Sequence, residues 1–298
     1  MIDGLICVNK ETGMSSHGVV ARVRSLTGQK KVGHSGTLDP MAGGVLVICL
    51  GKGTKVSQYI MDAGKTYRAT MLLGTVTDSQ DTTGNIISRF APAFSDEEAA
   101  DMIKRSAADF TGQILQTPPM HSALKKNGVK LYTLARQGIE VERAPREIKI
   151  YGIEYLKRAG ELEHELRIAC SKGTYVRTLI HDIGSRLGCG ACMSGLVRES
   201  VGPFKIENAY TLGELEDLLN ERKLEEALLP IDGALSQFEP LAADYEQEAL
   251  IKNGVRLEWD AFGAHSGKTY RVYSGDGRLL MLAKAEEDGL LHMLTSFY

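Results

Sequence analysis

Residues 33 to 44 read GHSGTLDPMAGG, four glycines and a proline around a single carboxylate, Asp39. A lone carboxylate can serve as nucleophile, base or charge stabiliser. Pro40 biases Asp39 away from helical dihedrals toward an extended shape. Gly33, Gly36, Gly43 and Gly44 allow sharp turns and close approach by another backbone. A tight turn whose Asp bonds its own backbone explains one or two of these glycines. Four of them, beside His34, Ser35 and Thr37, fit better a loop that holds one acid against a large ligand.

Other chemistries are excluded by spacing. GKT occurs at 64–66 and 267–269, but a phosphate loop needs a glycine where Tyr59 and Phe262 stand. Cys189-Gly-Ala-Cys192 is a lone CxxC, and the seven histidines form no ligand cluster, so no metal site is expected. Asp39 lacks the Asp-Thr/Ser-Gly setting of aspartic proteases. It also lacks the Asp-x-Asp of aspartyl phosphatases, because Met41 sits two residues on.

The elements around this loop can be read locally. Ser15 and Ser16 cap a helix with apolar positions Val19, Val20, Val23 and Leu26, closed by Gly28. VLVICLG at 45–51 is wholly apolar and reads as a buried strand, and YRATMLL at 67–73 as another. Ser95 to Glu98 and Thr211 to Glu214 are capping boxes that open helices. Residues 116–130 read as a polar loop broken by two prolines, and 147–170 as two strands joined at 159–161. After SKGT, Val176, Ile180, Ile183 and Leu187 form a helix stripe ending near Gly188. From about Pro240, short segments alternate with Gly-Asp-Gly and Glu-Asp-Gly turn signals, which implies a small, mostly β C-terminal domain.

Composition is that of a soluble globular protein, with 43% hydrophobic and 24% charged residues in a 298-residue chain. No apolar run approaches membrane length, and MIDGLICVNKE lacks the features of a signal peptide, so a cytoplasmic protein is expected. Five cysteines, an odd number, fit reduced thiols. The net charge of −3 conceals an uneven distribution. Residues 1–80 carry nine Lys/Arg against five Asp/Glu, and 121–149 carry seven against three, while 205–252 carry four against twelve. Two locally basic regions are what a phosphate backbone would feel.

GHSGTLDPMAGGVLVICLGKGTK (33–55) closely resembles the nucleophile motif of the tRNA pseudouridine synthases that act on uridine 55 of the T arm, the TruB family. NKETGMSSHGVV (9–20), KTYRATMLLGTVTDSQDTTG (65–84), QTPPMHSALKKNGVKLYTLARQGIEVERAPREI (116–148) and SKGTYVRTLIHDIGSRLG (171–188) resemble that family in its order. The 116–148 stretch is similar to the RNA-clamping insert of the bacterial enzymes rather than to the guide-RNA-dependent relatives. The C-terminal sixty residues bear a weaker similarity to a PUA-like RNA-binding barrel.

The resemblance implies an α/β fold in which a mixed, mostly antiparallel sheet is flanked by helices. It implies a catalytic domain over 1–235 and a PUA-like domain over 240–298. It implies a monomer that isomerises uridine in the T stem-loop of tRNA by base flipping, without cofactor, metal or guide RNA. Asp39 is then the catalytic carboxylate, attacking sugar or base or stabilising a sugar intermediate, and Arg177 its ion-pair partner. A planar guanidinium suits that role because it binds carboxylates in a fork. Tyr67 matches the aromatic that stacks on the target base, with its hydroxyl a candidate for removing the C5 proton, Tyr175 a second aromatic of the pocket, Leu196 an apolar wall, and His34 the residue filling the space of the flipped base. Stacking at ~1–3 kcal/mol per face could offset the few kcal/mol of extrusion. Lys10, Lys125, Lys126, Lys130, Arg143 and Arg146 match RNA contacts.

The chain departs from the family pattern in three places. Ala42-Gly43-Gly44 replaces Ala-Thr-Gly, which adds flexibility beside Asp39. His121 replaces a tyrosine, and the arginine pair after the pocket leucine is reduced to Val197-Arg198. A noncatalytic RNA-binding or tRNA-folding protein on the same scaffold is the competing reading. Retention of both Asp39 and Arg177 argues against it, because an acid facing RNA phosphates weakens simple binding.

Overall fold

The computed structural model describes residues 2–298. Seven strands carry the site: β1 (Gly4–Lys10), β2 (Ala42–Leu50), β3 (Lys65–Leu73), β4 (Gly112–Gln116), β5 (Arg146–Arg158), β6 (Glu163–Cys170) and β7 (Ala191–Val201). They run in the order β1-β2-β7-β3-β6-β5-β4. Only the β2–β7 pairing is parallel; the others along this order are antiparallel.

The apolar run at 45–51 explains why β2 lies inside. All nine residues of β2 are buried, so both of its faces need cover. Leu46, Ile48 and Leu50 face helices α1 (Ser16–Thr27), through Val19, Val20 and Val23, and α3 (Val176–Arg186), through Leu179, Ile180 and Ile183, in one core that also holds Ile103 of α2 (Asp96–Ala108). Val45, Val47 and Cys49 face a second core with Val56, Ile60, Leu235 and Leu282. The caps act as their residue types require. Ser15 accepts from the Gly18 amide, Gly28 closes α1 at φ 63°, and the Ser95–Glu98 box opens α2. The Thr211–Glu214 box opens α4 (Leu212–Asn220).

One edge of β2 is shared by two partial partners. Val32–His34 pairs with Leu50–Ile48, and Leu196–Arg198 pairs with Ala42–Gly44. Residues 45–47 face the gap between them, and the Asp39 loop leaves the sheet there. Gly43 lies within β2, opposite Val197, so the flexibility expected beside Asp39 is replaced by a strand. The glycine that the fold demands is Gly44. It has φ +93°, and a Cβ there would stand 2.3 Å from the Arg198 carbonyl oxygen. Gly44→Ala is expected to cost about 3 kcal/mol or more, from left-handed strain plus overpacking. Gly33→Ala, whose Cβ would meet only Thr54 Cγ2 at 3.9 Å, is expected to be mild. Urea midpoints of the two variants check the contrast.

The stretch read as a polar loop contains a small hairpin, Lys125–Lys126 against Val129–Lys130, followed by a short helix, Leu131–Arg136. Its turn is Asn127-Gly128, with φ 52° and 82°, the primed-turn geometry that an Asn-Gly pair favours. At the C-terminus β8 (Glu239–Ala242), β9 (Thr269–Tyr273), β10 (Leu279–Ala285) and β11 (Leu291–Ser296) form a separate four-stranded sheet over its own apolar cluster. That cluster includes Ile251 of α5 (Tyr245–Lys252), opened by an Asp244–Gln247 capping box, the helix in an otherwise mostly β domain. Among the described residues no helix is long and apolar enough to cross a membrane. The five cysteines are free and buried.

Candidate active site

The loop from Ser35 to Met41 is held at many points. The Ser35 amide donates to Val47 O in the gap at the β2 edge (3.0 Å). Ser16 Oγ accepts from the Leu38 amide (2.9 Å) and donates to Leu38 O (3.0 Å). The Gly13 amide donates to Pro40 O (2.7 Å). Lys10 Nζ donates to Glu11 O (2.9 Å), Met14 O (2.6 Å) and Pro40 O (3.4 Å). These bonds leave Asp39 projecting from a fixed base.

Arg177 enters from the first turn of α3. Its Nε lies 3.1 Å from Asp39 Oδ2 and its Nη1 3.4 Å from Asp81 Oδ2. Nη1 also donates to Ser79 O (3.0 Å) and Nη2 to His121 O (2.8 Å). One guanidinium therefore bridges two carboxylates of different exposure. The Asp39 side chain is 41% exposed, that of Asp81 5% and that of Arg177 7%. Asp39 is thus open to water, while Arg177 and Asp81 behind it are not.

Asp81 is a member of the site that the sequence reading did not single out. Its Oδ1 accepts from Ser79 Oγ (2.7 Å), the Thr83 amide (3.0 Å) and Thr83 Oγ1 (2.5 Å). The tight turn that presents it includes Gln80 at φ 63°, whose side chain accepts from Thr178 Oγ1 (2.7 Å). The signal available was the polar run TDSQDTTG directly after an apolar strand. Gln116 is a second such residue. Buried, it accepts from the Tyr175 amide (2.8 Å) and donates to the Tyr175 carbonyl (3.1 Å), which satisfies the start of α3 where no side chain of the helix caps it.

Tyr67, Leu196 and Arg198 share one face of the sheet, since Tyr67 is opposite Arg198 and Leu196 opposite Ala69. Tyr67 and Leu196 are each 8% exposed, so neither presents an open face to solvent. Tyr175 is half-buried at the N-cap of α3. Burial, the largest influence, pushes the Tyr67 hydroxyl's pKa up, and Arg198 opposes it. His34 ends the strand at 32–34 with its ring edge-on to His17, centroids 5.2 Å apart. Burial first, then His17 and Arg198, hold its pKa below the usual histidine value. A depressed folded pKa means that the unfolded chain binds more protons just below its own pKa of about 6.5, so stability falls on acidification through that window. Urea midpoints are expected to drop less between about pH 7 and pH 5 in His34→Gln than in the wild type.

One expectation needs correction. Lys10 is 1% exposed and its three ammonium protons already have three carbonyl acceptors, so it braces the Asp39 loop and has no donor left for a phosphate. Arg198, which stands alone where the family has an arginine pair, is equally buried. In the insert, Lys125, Lys126 and Lys130 share the hairpin and are exposed. Lys126 Nζ donates to Glu142 O (2.6 Å), Lys130 lies over the Tyr132 ring, Arg143 pairs with Glu140 at 3.0 Å, and Arg146 is exposed at the start of β5. Among the described residues no group of three or more His, Cys, Asp or Glu side chains gathers to hold a metal.

A carboxylate fixed beside a buried arginine, with aromatic and apolar walls, is suited to act on a flat, extruded base or its sugar. Comparison with known proteins agrees. Residues 24–176 match the model of the TruB family pseudouridylate synthase N-terminal domain, and residues 177–236 that of the tRNA pseudouridylate synthase B C-terminal domain. The chain is 43% identical over 296 residues to a tRNA pseudouridine synthase B of Dehalococcoides mccartyi, covering 99% of this chain and 97% of that one. It is 42% identical to the protein of that name in Clostridium acetobutylicum, covering 99% and 100%. Among solved structures, a Cbf5-Nop10-Gar1 complex aligns with TM-score 0.76 at 29% identity, covering 99% of this chain and 85% of that one. The chain belongs to the TruB family of pseudouridylate synthases.

Proposed function

We propose that this protein converts uridine 55 in the T arm of tRNA to pseudouridine. The observation that carries the reading is the 3.1 Å ion pair between Asp39 and buried Arg177, in a chain of this family. The reaction conserves atoms. The N1–C1′ bond breaks, the uracil turns, a C5–C1′ bond forms, the C5 proton leaves and N1 gains one. No oxidant or reductant is needed. Asp39 is the catalytic carboxylate, Arg177 holds it in place, and Tyr67, Tyr175 and Leu196 receive the extruded base. His34 takes the place that the base vacates.

We read the chain as a monomer that works in the cytoplasm without guide RNA, its basic insert at 116–148 supplying contacts to the T arm. The catalytic domain spans 1–235 and a PUA-like RNA-binding domain spans 240–298. Replacing Lys125, Lys126 and Lys130 together by Ala is expected to weaken tRNA binding and to reduce the slope of log K against log salt by about 1 for each phosphate that the hairpin no longer neutralises. A slope unchanged from the wild type would remove the hairpin from the RNA interface.

The function itself is tested by tritium release from a tRNA transcript labelled at uridine C5, with purified protein alone. Release of one equivalent per tRNA supports a stand-alone synthase. Tight binding without release would favour the noncatalytic reading.

A further inference from the structure

Arg198 is 1% exposed, yet among the described residues no carboxylate lies within ion-pair distance of it. Buried charges are expensive unless they are paired, so an unpaired buried guanidinium asks for a reason. Its hydrogen bonds show where it acts. Nε donates to Val45 O (2.7 Å) and Nη2 to Gly36 O (3.1 Å). Val45 lies on the gap at the β2 edge where the sheet divides between two partial partners. Gly36, at φ +95°, lies where the chain departs toward Asp39. The two carbonyls therefore mark the outgoing and returning stems of the Asp39 loop. Tyr67 lies directly opposite Arg198 in the sheet, on the same face.

We infer that Arg198 is a positioning residue for the isomerisation: a single guanidinium, set opposite Tyr67 in the sheet, ties together both stems of the Asp39 loop. The stacking ring and the carboxylate then keep one spacing when a uridine enters. The absence of a side chain at Gly44 belongs to this device, because it lets the Arg198 backbone lie against β2 in parallel register. A lysine could supply the charge but not the fork, since two carbonyls reached by separate nitrogens match a planar guanidinium and not a compact ammonium. The inference rests on the reading of Asp39 as catalytic carboxylate and Tyr67 as base platform, and Arg198 acts through them without touching the substrate.

The test measures tRNA affinity and the single-turnover rate of pseudouridine formation in the full-length wild type, Arg198→Met and Arg198→Lys. The expected result is a fall of about 100-fold in rate for Arg198→Met with affinity kept within about threefold. Arg198→Lys is expected to recover part of that rate. A wild-type rate in Arg198→Met overturns the inference. So does a parallel loss of rate and affinity, which marks general structural damage, and so does a lysine variant no better than methionine. Should Arg198→Met fail to unfold cooperatively on heating, Arg198→Lys decides. A rate about tenfold down at unchanged affinity supports the role, and a wild-type rate ends it. The site reading fails separately, if Asp39→Asn converts tRNA normally.

Discussion

Asp39→Asn is expected to lower pseudouridine formation by about 10⁴-fold or more, roughly 5.5 kcal/mol of barrier, while tRNA binding is kept or tightened. The substitution is nearly isosteric. The Asp39 side chain is 41% exposed, and the loop is anchored through Ser35, Leu38 and Pro40 rather than through the carboxylate, so folding should be little changed. What is lost is the negative charge and the lone pairs that must act on sugar or base. What is relieved is repulsion between that charge and RNA phosphates. Single-turnover conversion and tRNA affinity, measured on one preparation, check both halves. Conversion near the wild-type rate would exclude the carboxylate from the chemistry. Conversion and binding lost together would mean that the loop, and not the acid, had been tested.

The elements that position this carboxylate were legible because their signals are local. Ser15 and Gly28 bracket α1, two capping boxes open α2 and α4, and an unbroken apolar run marks β2. The partnership of Asp39 with Arg177 has no local signal, and it came from resemblance to a family rather than from any periodicity. Asp81 was hidden for a related reason. Its role depends on a turn folding back onto α3, and a polar run beside glycine reads equally well as a surface loop. Lys10 was misassigned because cations are usually exposed. Its burial follows from three carbonyls converging at the base of a loop, a tertiary fact. The Asn127-Gly128 hairpin is the opposite case, since its signal is in the sequence and only the two prolines upstream argued for an open loop.

Arg177→Met is expected to damage stability and rate together, and the two can be separated. In the native site the guanidinium answers Asp39, Asp81 and the carbonyls of Ser79 and His121. Methionine matches the stem and removes every donor. The exposed partner, Asp39, can fall back on water. Asp81 cannot, because its side chain is 5% exposed and is left with only the neutral donors of Ser79 and Thr83. Removing one member of a buried ion pair costs about 3–5 kcal/mol, mostly through the uncompensated charge that remains. The rate should fall by about 10³-fold, the scale seen when a fixed electrostatic partner is taken from an active site. Neutralising the stranded acid in Arg177→Met/Asp81→Asn should then restore part of the melting temperature while leaving the rate low. Recovery of stability without recovery of rate would assign Asp81 to holding the arginine and the arginine to Asp39. If the double variant melts no higher than Arg177→Met, the unanswered carbonyls of Ser79 and His121, and not the buried charge, account for the damage. If Arg177→Met converts tRNA at the wild-type rate, Asp39 needs no cation beside it and the proposed division of labour in the cleft is wrong.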